Sequence, residues 1–390
     1  MKNSYTAFYI LLLLDVCFVF GESHPSEIEL LGVVKIPGNA KDLSGLNGTL
    51  EDGTPQNQLG AFGSAITYTG SGNRYLAVAD RGPKDGADQF KCRFHEFEIV
   101  IDPLGKSPPK VTLIRTTLLK DEKGENFIGA SSAFDSTNSP AGLRLDPEGI
   151  AIGQNETVFI ADEYGPFIDE FTPAGRQLRS LETPSLLLIK TPCASKKDEI
   201  AANTSGRRSN KGFEGLTISP DKTKLYALLQ GPLLQDHAPI CRLLELDINT
   251  GKNRQFAVPL THRKNGFNEI LAINDHEFLV IERDDEKGQD ARFKKIMKID
   301  IDGATDIQNI FALPNQLPAA IKPVKKEPWL DFLEPKFNLA GKSFPEKIEG
   351  LTFGPSLPDG RRILVVTTDN DCKINCPNEF WIFAVPALQQ

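Results

Sequence analysis

An all-β chain folded as a β-propeller of five to seven four-stranded blades, closed by an N-terminal strand, is what this sequence predicts. Three observations carry the prediction. A two-strand unit with an acidic start and an acidic or polar finish recurs five times. Two more strand-like segments follow most copies, which makes a four-stranded blade. The last copy lacks a fourth strand, and the N-terminal segment can supply it.

The clearest copies are these. Glu148-Gly-Ile-Ala-Ile runs to Val158-Phe-Ile-Ala-Asp-Glu-Tyr-Gly-Pro166, and Glu214-Gly-Leu-Thr-Ile runs to Leu225-Tyr-Ala-Leu-Leu-Gln-Gly-Pro232. Glu269-Ile-Leu-Ala-Ile runs to Phe278-Leu-Val-Ile-Glu-Arg-Asp-Asp285, and Glu349-Gly-Leu-Thr-Phe runs to Ile363-Leu-Val-Val-Thr-Thr-Asp-Asn-Asp371. A divergent copy comes first, from Gly63-Ser-Ala-Ile-Thr to Tyr75-Leu-Ala-Val-Ala-Asp-Arg-Gly-Pro83, with Ser64 where the others carry Glu. Short apolar runs bounded by turn residues, such as Pro220-Asp-Lys and Pro358-Asp-Gly, are the pattern of buried strands.

Third strands alternate, as in Cys241–Ile248 and Lys294–Ile301, and fourth strands follow at Arg254–Leu260 and Val111–Leu119. After Trp381–Val385 no fourth strand remains, and Ile28–Ile36 is expected to close the ring and remove the open edge. Uneven spacing between units leaves room for a degenerate blade. The segments 121–147 and 313–345 are polar or Pro-rich and are expected to be long loops over one face. A pair of β-sandwiches is the alternative architecture, which a fivefold echo disfavours.

The N-terminus is set apart from the fold. Lys2, the apolar run Ala7–Phe20 and the small or polar Gly21, Glu22 and Ser23 have the form of a secretory signal peptide over residues 1–23, leaving one domain over 24–390. The run is short for a membrane span and contains Asp15, so a secreted, extracellular chain with no membrane span is expected. Export puts the remaining cysteines in an oxidising compartment. A local bridge between Cys372 and Cys376 is expected first, with the pairing of Cys92, Cys193 and Cys241 open. Sequons at Asn47, Asn155 and Asn203 fall in turn-like stretches and are candidate glycosylation sites. A formal net charge of −8 with scattered basic residues argues against nucleic-acid binding, and a monomer is expected.

In a propeller the start of each innermost strand and the end of its antiparallel neighbour lie at one pole. That places Glu148, Glu214, Glu269 and Glu349 beside Asp80, Asp162, Glu163, Glu282, Asp369 and Asp371. So many carboxylates repel one another unless a cation is present. Hard oxygen donors in an extracellular setting favour Ca²⁺, with Glu148, Asp162, Glu163, Glu214, Glu269, Glu282, Glu349 and Asp369 as candidate ligands. The alternative is that these glutamates bond backbone amides of neighbouring blades and staple the ring. Arg81, Lys211 and Arg283 join the acids at motif ends, a combination that suits a small anionic partner such as a phosphate ester; their alternative role is pairing with adjacent carboxylates. No G-x-S-x-G elbow, P-loop or G-x-G-x-x-G after a strand occurs.

The ordered set Ser44-Gly-Leu46, Asp80-Arg-Gly82, Asp146-Pro-Glu-Gly149, Asp162-Glu-Tyr-Gly-Pro166, Gly212-Phe-Glu-Gly-Leu216, Glu282-Arg-Asp284, Ile348-Glu-Gly-Leu351 and Asp369-Asn-Asp371 resembles the phytase-like family. That family is also described by an esterase-like activity of phytase, and it is similar to the calcium-dependent β-propeller phytases. The resemblance runs from about Val33 to Val385. It implies a Ca²⁺-dependent hydrolase of phosphoric, phytate-like esters, with Glu148, Asp162, Glu163, Glu214 and Glu349 as ligands. Glu148, Glu214, Asp162 and Glu163 would be the catalytic set, with Arg81, Lys211, Arg283 and Tyr164 on the substrate. Ser64 and Gln230 depart from the acidic pattern. A non-catalytic extracellular binding propeller with structural Ca²⁺ and a carboxylic-ester hydrolase are the alternative functions.

Overall fold

The computed structural model describes residues 27–102, 106–137 and 142–388. The segment assigned to a signal peptide lies outside them. Five four-stranded antiparallel sheets make up the fold. Blade 1 comprises β2 (Ala65–Tyr68), β3 (Arg74–Val78), β4 (Arg93–Val100) and β5 (Lys110–Leu118), from the axis outward. Blade 2 comprises β6 (Pro147–Ile152), β7 (Val158–Asp162), β8 (Phe167–Phe171) and β9 (Gln177–Leu181). Blade 3 comprises β10 (Phe213–Ile218), β11 (Lys224–Leu229), β12 (Ile240–Asp247) and β13 (Asn253–Pro259). Blade 4 comprises β14 (Gly266–Ala272), β15 (Glu277–Arg283), β16 (Lys294–Asp300) and β17 (Lys325–Asp331). Blade 5 comprises β18 (Lys347–Ser356), β19 (Arg362–Asp369) and β20 (Asn378–Val385), with β1 (Glu29–Ile36) paired to β20 as its outermost strand.

The innermost strands pack in a cycle: β2 against β6, β6 against β10, β10 against β14, β14 against β18, and β18 against β2. Apolar side chains fill the wedge between each pair of neighbouring sheets. Val78 and Phe94 meet Ile150 and Val158 between blades 1 and 2, while Leu351 and Trp381 join Leu279 and Ile281 between blades 4 and 5. Burial of both faces explains why the strands are near-continuous apolar runs. Blade number is therefore five, with no degenerate sixth sheet among the described residues. One segment departs from expectation. Within 313–345, Lys325–Asp331 is β17 and pairs with β16 through an offset at Met297, so it is blade rather than loop. Its Pro328 sits on the sheet's outer edge, where a missing amide donor is tolerated.

The start of the innermost strand is irregular in the same way in four blades. Pairing skips one residue between Pro147 and Gly149, Phe213 and Gly215, Phe267 and Glu269, and Ile348 and Gly350. The skipped residues are Glu148, Glu214, Asn268 and Glu349. A bulge of this kind re-aims one side chain without breaking the sheet. Glycine follows three of the four because the next blade is too close for a side chain. A Cβ on Gly149 would lie 2.6 Å from Leu216 Cβ, and one on Gly215 would lie 2.6 Å from the Ile270 amide nitrogen.

The described cysteines are all unpaired. The bridge expected between Cys372 and Cys376 is not formed: Cys372 is buried with its sulfur towards Gly60, while Cys376 is exposed. Asn370 holds this loop instead, accepting from the Cys372 amide at 3.0 Å and donating to the Cys376 carbonyl at 2.8 Å. Asn47 and Asn155 are exposed, whereas Asn203 is buried. Its amide nitrogen donates to the carbonyls of Thr191 and Glu199, both at 2.8 Å, so Asn203 is not presented for a glycan. No helix among the described residues is long and apolar enough to cross a membrane.

Candidate functional site

The registers define three equivalent positions at one pole of the propeller. The bulged position carries Glu148, Glu214, Asn268 and Glu349 in blades 2 to 5. Two residues earlier, on the same face of the strand, stand Asp146, Gly212, Gly266 and Lys347. The third position is the first residue past the partner of the pre-bulge residue: Glu163, Gln230, Arg283 and Asp369. Asp80 is the blade 1 counterpart, since its amide donates to the Ala61 carbonyl as that of Glu163 does to Asp146 and that of Gln230 to Gly212.

These side chains converge on a pocket of about 550 Å³ lined by Asp80, Arg81, Glu148, Glu163, Glu214, Gln230, Lys347 and Asp371, with Asp52, Asp85, Asn210 and Lys373 at its rim. Two sets of carboxylates have oxygens close enough to share one cation: Asp146, Glu148 and Glu163, and Asp80, Asp369 and Asp371. Cations are built into the same space. The Arg81 guanidinium donates to Asp146, Asp85 and Asn210 and reaches Glu163 Oε2 at 3.5 Å. Arg283 donates to Glu349 Oε1 at 2.8 Å and to Asp285 Oδ1 at 3.1 Å. Lys347 Nζ lies 3.0 Å from Asp369 Oδ2 and 2.5 Å from Asp371 Oδ1, and Lys211 Nζ donates to Gln230 Oε1 at 2.5 Å. Glu214 Oε1 accepts from Gln230 and, at 2.7 Å, from Asn268 Nδ2, which also reaches Glu349 Oε1 at 3.2 Å.

Negative charge exceeds positive charge here. Burial, and then the nearby Glu214 and Asp146, push the Glu148 carboxyl well above its ordinary range. Burial, then Glu163 and Glu349, do the same to Glu214, and burial with Asp369 does so to Asp80. Glu163 is pushed to about 7 by burial and Asp146, against the opposing pull of Arg81. Asp369 is pushed to about 6 by burial, with Lys347 opposing. Carboxyls in this condition either keep protons or take a cation.

The residues fit a hard divalent ion. Glu163 Oε1 and Glu349 Oε2 are buried without a hydrogen-bond partner, and neither Glu148 oxygen accepts a bond from any described residue. Uncompensated oxygen donors of this type are what Ca²⁺ coordination uses. Asp146, Glu148 and Glu163, whose oxygens lie close enough to share one cation, are the side chains that would hold such an ion.

Not every residue expected at the pole reaches it. Asp162 and Glu282 immediately precede the third position, and strand alternation turns them away from the pocket. Asp162 accepts from the amides of Asp146 at 2.8 Å, Tyr164 at 3.1 Å and Gly165 at 3.0 Å. Glu282 accepts from Thr261 N at 2.6 Å, Asn265 Nδ2 at 2.9 Å and Lys326 Nζ at 2.6 Å. Glu269 lies one residue past the bulge, and its Oε1 accepts from the amides of Leu216 at 3.1 Å and Ile270 at 3.0 Å. Asn268 occupies the position assigned to Glu269. Tyr164 stands outside the main pocket, its hydroxyl donating to the Gly129 carbonyl at 2.8 Å. Sequence reasoning misses Asp146 and Lys347, although both sit two residues before a recognised Glu, a spacing that alone places them on the same face. Counted back from the Ala65–Val78 pair, Ser64 holds the place of the bulged acids in blade 1, buried and with its hydroxyl donating to the Ala61 carbonyl at 3.3 Å.

A second pocket of about 410 Å³ opens beside the first, between blades 3 and 4, and is lined by Arg208, Lys211, His237, Arg263, Lys264 and Asp285. Among the described residues the Arg208 guanidinium bonds only the Pro232 carbonyl, at 3.0 Å, and that of Arg263 bonds the His237 carbonyl and Asn315. Neither they nor Lys211 and Lys264 form an ion pair within the described residues. The pole therefore has an acidic side and a basic side.

Comparison with known proteins is consistent with this arrangement. Residues 57–372 match the family model described as "Phytase-like: Esterase-like activity of phytase". An uncharacterised secreted protein of Arthroderma benhamiae is 26% identical, the match covering 68% of this chain and 64% of that protein. The chain thus spans just under two-thirds of that relative's length. Among solved structures the chain is similar to an exo-β-1,3-galactanase of Phanerochaete chrysosporium, at 10% identity and a TM-score of 0.41 over 89% of this chain and 63% of that one. It is also similar to a gluconolactonase of Xanthomonas campestris, at 8% identity and a TM-score of 0.38 over 93% and 82%. Likenesses at that level say nothing about this chain's chemistry. With about four-fifths of its length matched by one family model, this chain belongs to the phytase-like family.

Proposed function

We propose that the chain is a secreted, Ca²⁺-dependent hydrolase of phosphoric, phytate-like esters, acting at the acidic pocket. The observation that supports this most directly is Glu148: a buried carboxylate facing the pocket, beside the unpartnered Glu163 Oε1, with no donor to either of its oxygens among the described residues. When bound there, Ca²⁺ would supply Lewis-acid polarisation of a phosphoryl oxygen. Asp146, Glu148 and Glu163 would hold the ion, with Glu214 beside them. Asp162 fixes the backbone of Tyr164 and Gly165 and so sets the direction of Glu163. Arg81, at the wall of the acidic pocket, and Lys211, in the adjoining basic pocket and bonded to Gln230, orient an anionic substrate, and the guanidinium fork suits phosphate oxygens. Arg208, Arg263 and Lys264 in the adjoining basic pocket receive further anionic groups of a multiply charged substrate. Secretion is supported by the form of residues 1–23 and by the secreted relative.

A second reading, a non-catalytic propeller with structural Ca²⁺, is favoured by one observation: Arg81, Arg283 and Lys347 are already bonded to carboxylates. Phosphate release from phytate and from 4-nitrophenyl phosphate, with Ca²⁺ and with chelator, separates the two. The hydrolase reading expects chelator-sensitive release that Glu148→Gln lowers at least about 100-fold while the fold is retained. Chelation that lowers the melting temperature with no turnover on any phosphoric ester would leave only the binding propeller. 4-Nitrophenyl acetate tests the carboxylic-ester alternative in the same assay.

A further inference from the structure

The two carboxylate sets at the pole are not equivalent, and the difference lies in one strand position. Two residues before the bulge, blade 2 carries Asp146 and blade 5 carries Lys347. In the Asp80, Asp369 and Asp371 set, donors already occupy most of the oxygens. Asp369 Oδ1 accepts from the Asp371 amide at 2.8 Å and its Oδ2 from Lys347 at 3.0 Å. Asp371 Oδ1 pairs with Lys347 at 2.5 Å and its Oδ2 with Lys373 at 2.6 Å. Asp80 Oδ1 accepts from the Gly82 amide at 2.6 Å. In the Asp146, Glu148 and Glu163 set, Asp146 Oδ1 accepts from the Arg81 amide at 3.1 Å and its Oδ2 from the Arg81 guanidinium, which also reaches Glu163 Oε2 at 3.5 Å. Glu163 Oε1, 2% exposed as a residue, and both Glu148 oxygens have no donor among the described residues.

We infer that Lys347 is a tethered cation that takes the place of a divalent ion among Asp80, Asp369 and Asp371, so that the pole binds its ion at Asp146, Glu148 and Glu163. The distances fit the substitution. An ammonium at 2.5–3.0 Å from two carboxylates stands close to where a Ca²⁺ with ligands at about 2.3–2.6 Å would sit. The two cations exclude each other by space and by charge. Lys347 lies opposite Asp369 across β18 and β19, so its stem is fixed by the sheet and the ammonium cannot swing clear without leaving the pair. A fixed single charge also leaves the set partly negative, which holds a neighbouring anionic substrate less tightly than a divalent ion would.

This inference rests on the reading that the pole binds Ca²⁺, and the test separates the two. Ca²⁺ stoichiometry is measured on the full mature chain by isothermal titration calorimetry, with Tb³⁺ luminescence as a second probe. The wild type is expected to bind about one equivalent at the pole. Lys347→Met is expected to bind about one more. The double variant Asp369→Asn/Asp371→Asn, with Lys347 kept, is expected to bind as much as the wild type, while Glu148→Gln/Glu163→Gln loses the equivalent. Should Lys347→Met fail to fold, these two double variants still decide the matter. Loss of an equivalent in Asp369→Asn/Asp371→Asn would overturn the role of Lys347 while leaving Ca²⁺ binding intact. No gain in folded Lys347→Met would do the same. Absence of any binding by the wild type would remove both readings.

Discussion

Blades 2 and 4 share strand order, antiparallel register and the same bulge at the start of the innermost strand, yet their contributions to the pole are opposite. Blade 2 presents Asp146, Glu148 and Glu163; blade 4 presents Gly266, Asn268 and Arg283 at the corresponding places. The backbone is one scaffold, and chemistry is written on it at three side-chain positions. Blade 2 supplies open oxygens. Blade 4 supplies an amide that donates to Glu214 and Glu349 and a guanidinium that neutralises Glu349.

The largest effect is expected from breaking the acidic half. Asp146→Ala removes the buried partner of Arg81, leaving a guanidinium that burial disfavours and that Asp146 had stabilised. A loss of about 3–5 kcal/mol is expected in urea unfolding. A loss under about 1 kcal/mol would mean that Asp85 and Glu163 suffice for Arg81.

An intermediate effect is expected from pH. Glu163 is held at about 7 and Asp369 at about 6, both above the unfolded range near 4. An acid whose pKa is raised on folding binds its proton better in the native state, so its contribution to stability falls as pH rises from about 4 to 7. A divalent ion favours the deprotonated forms. The rise in melting temperature caused by Ca²⁺ should therefore be larger at pH 8 than at pH 5, by the equivalent of on the order of 2 kcal/mol. Buried His95, pulled down to about 3 by burial, has the opposite sign and loses stability as pH falls from about 6.5 towards 3. The Ca²⁺-dependent difference cancels it. A Ca²⁺ effect independent of pH would contradict raised carboxyls at the binding site.

The smallest effect is expected at Glu269. Burial holds its carboxyl well above the usual range, and its Oε1 serves as an acceptor for two amides. Glu269→Gln preserves that acceptor, so stability should move by no more than about 0.5 kcal/mol and Ca²⁺ affinity not at all. A loss of Ca²⁺ affinity comparable to that of Glu148→Gln would return Glu269 to the pole.

The five-unit echo and the polar placement of strand ends are legible because buried strands and acidic turns repeat in the chain. The orientation of individual acids is less legible. Residue type matches Glu269 to Glu148, although the glycine that follows Glu148, Glu214 and Glu349 is missing after it. Matching Phe267 to Phe213 selects Asn268 instead. Because side chains alternate along a strand, a slip of one residue exchanges pocket for sheet face. The same alternation separates Asp162 from Glu163 and Glu282 from Arg283. Composition cannot distinguish such neighbours; only the pairing partner does. The basic pocket is also illegible, since Arg208, Arg263 and Lys264 come together from loops of different blades.

The pairing of residues 29–36 with 378–385 has a consequence for biosynthesis. Glu29 faces Ala384, so two segments far apart in the chain, and made at different times, must meet in one sheet. Until β20 has left the ribosome, β1 has no partner among the described strands. Contacts of such sequence separation form late and slowly. The nascent protein must therefore pass through a stage in which β1 is unpaired and open to other chains.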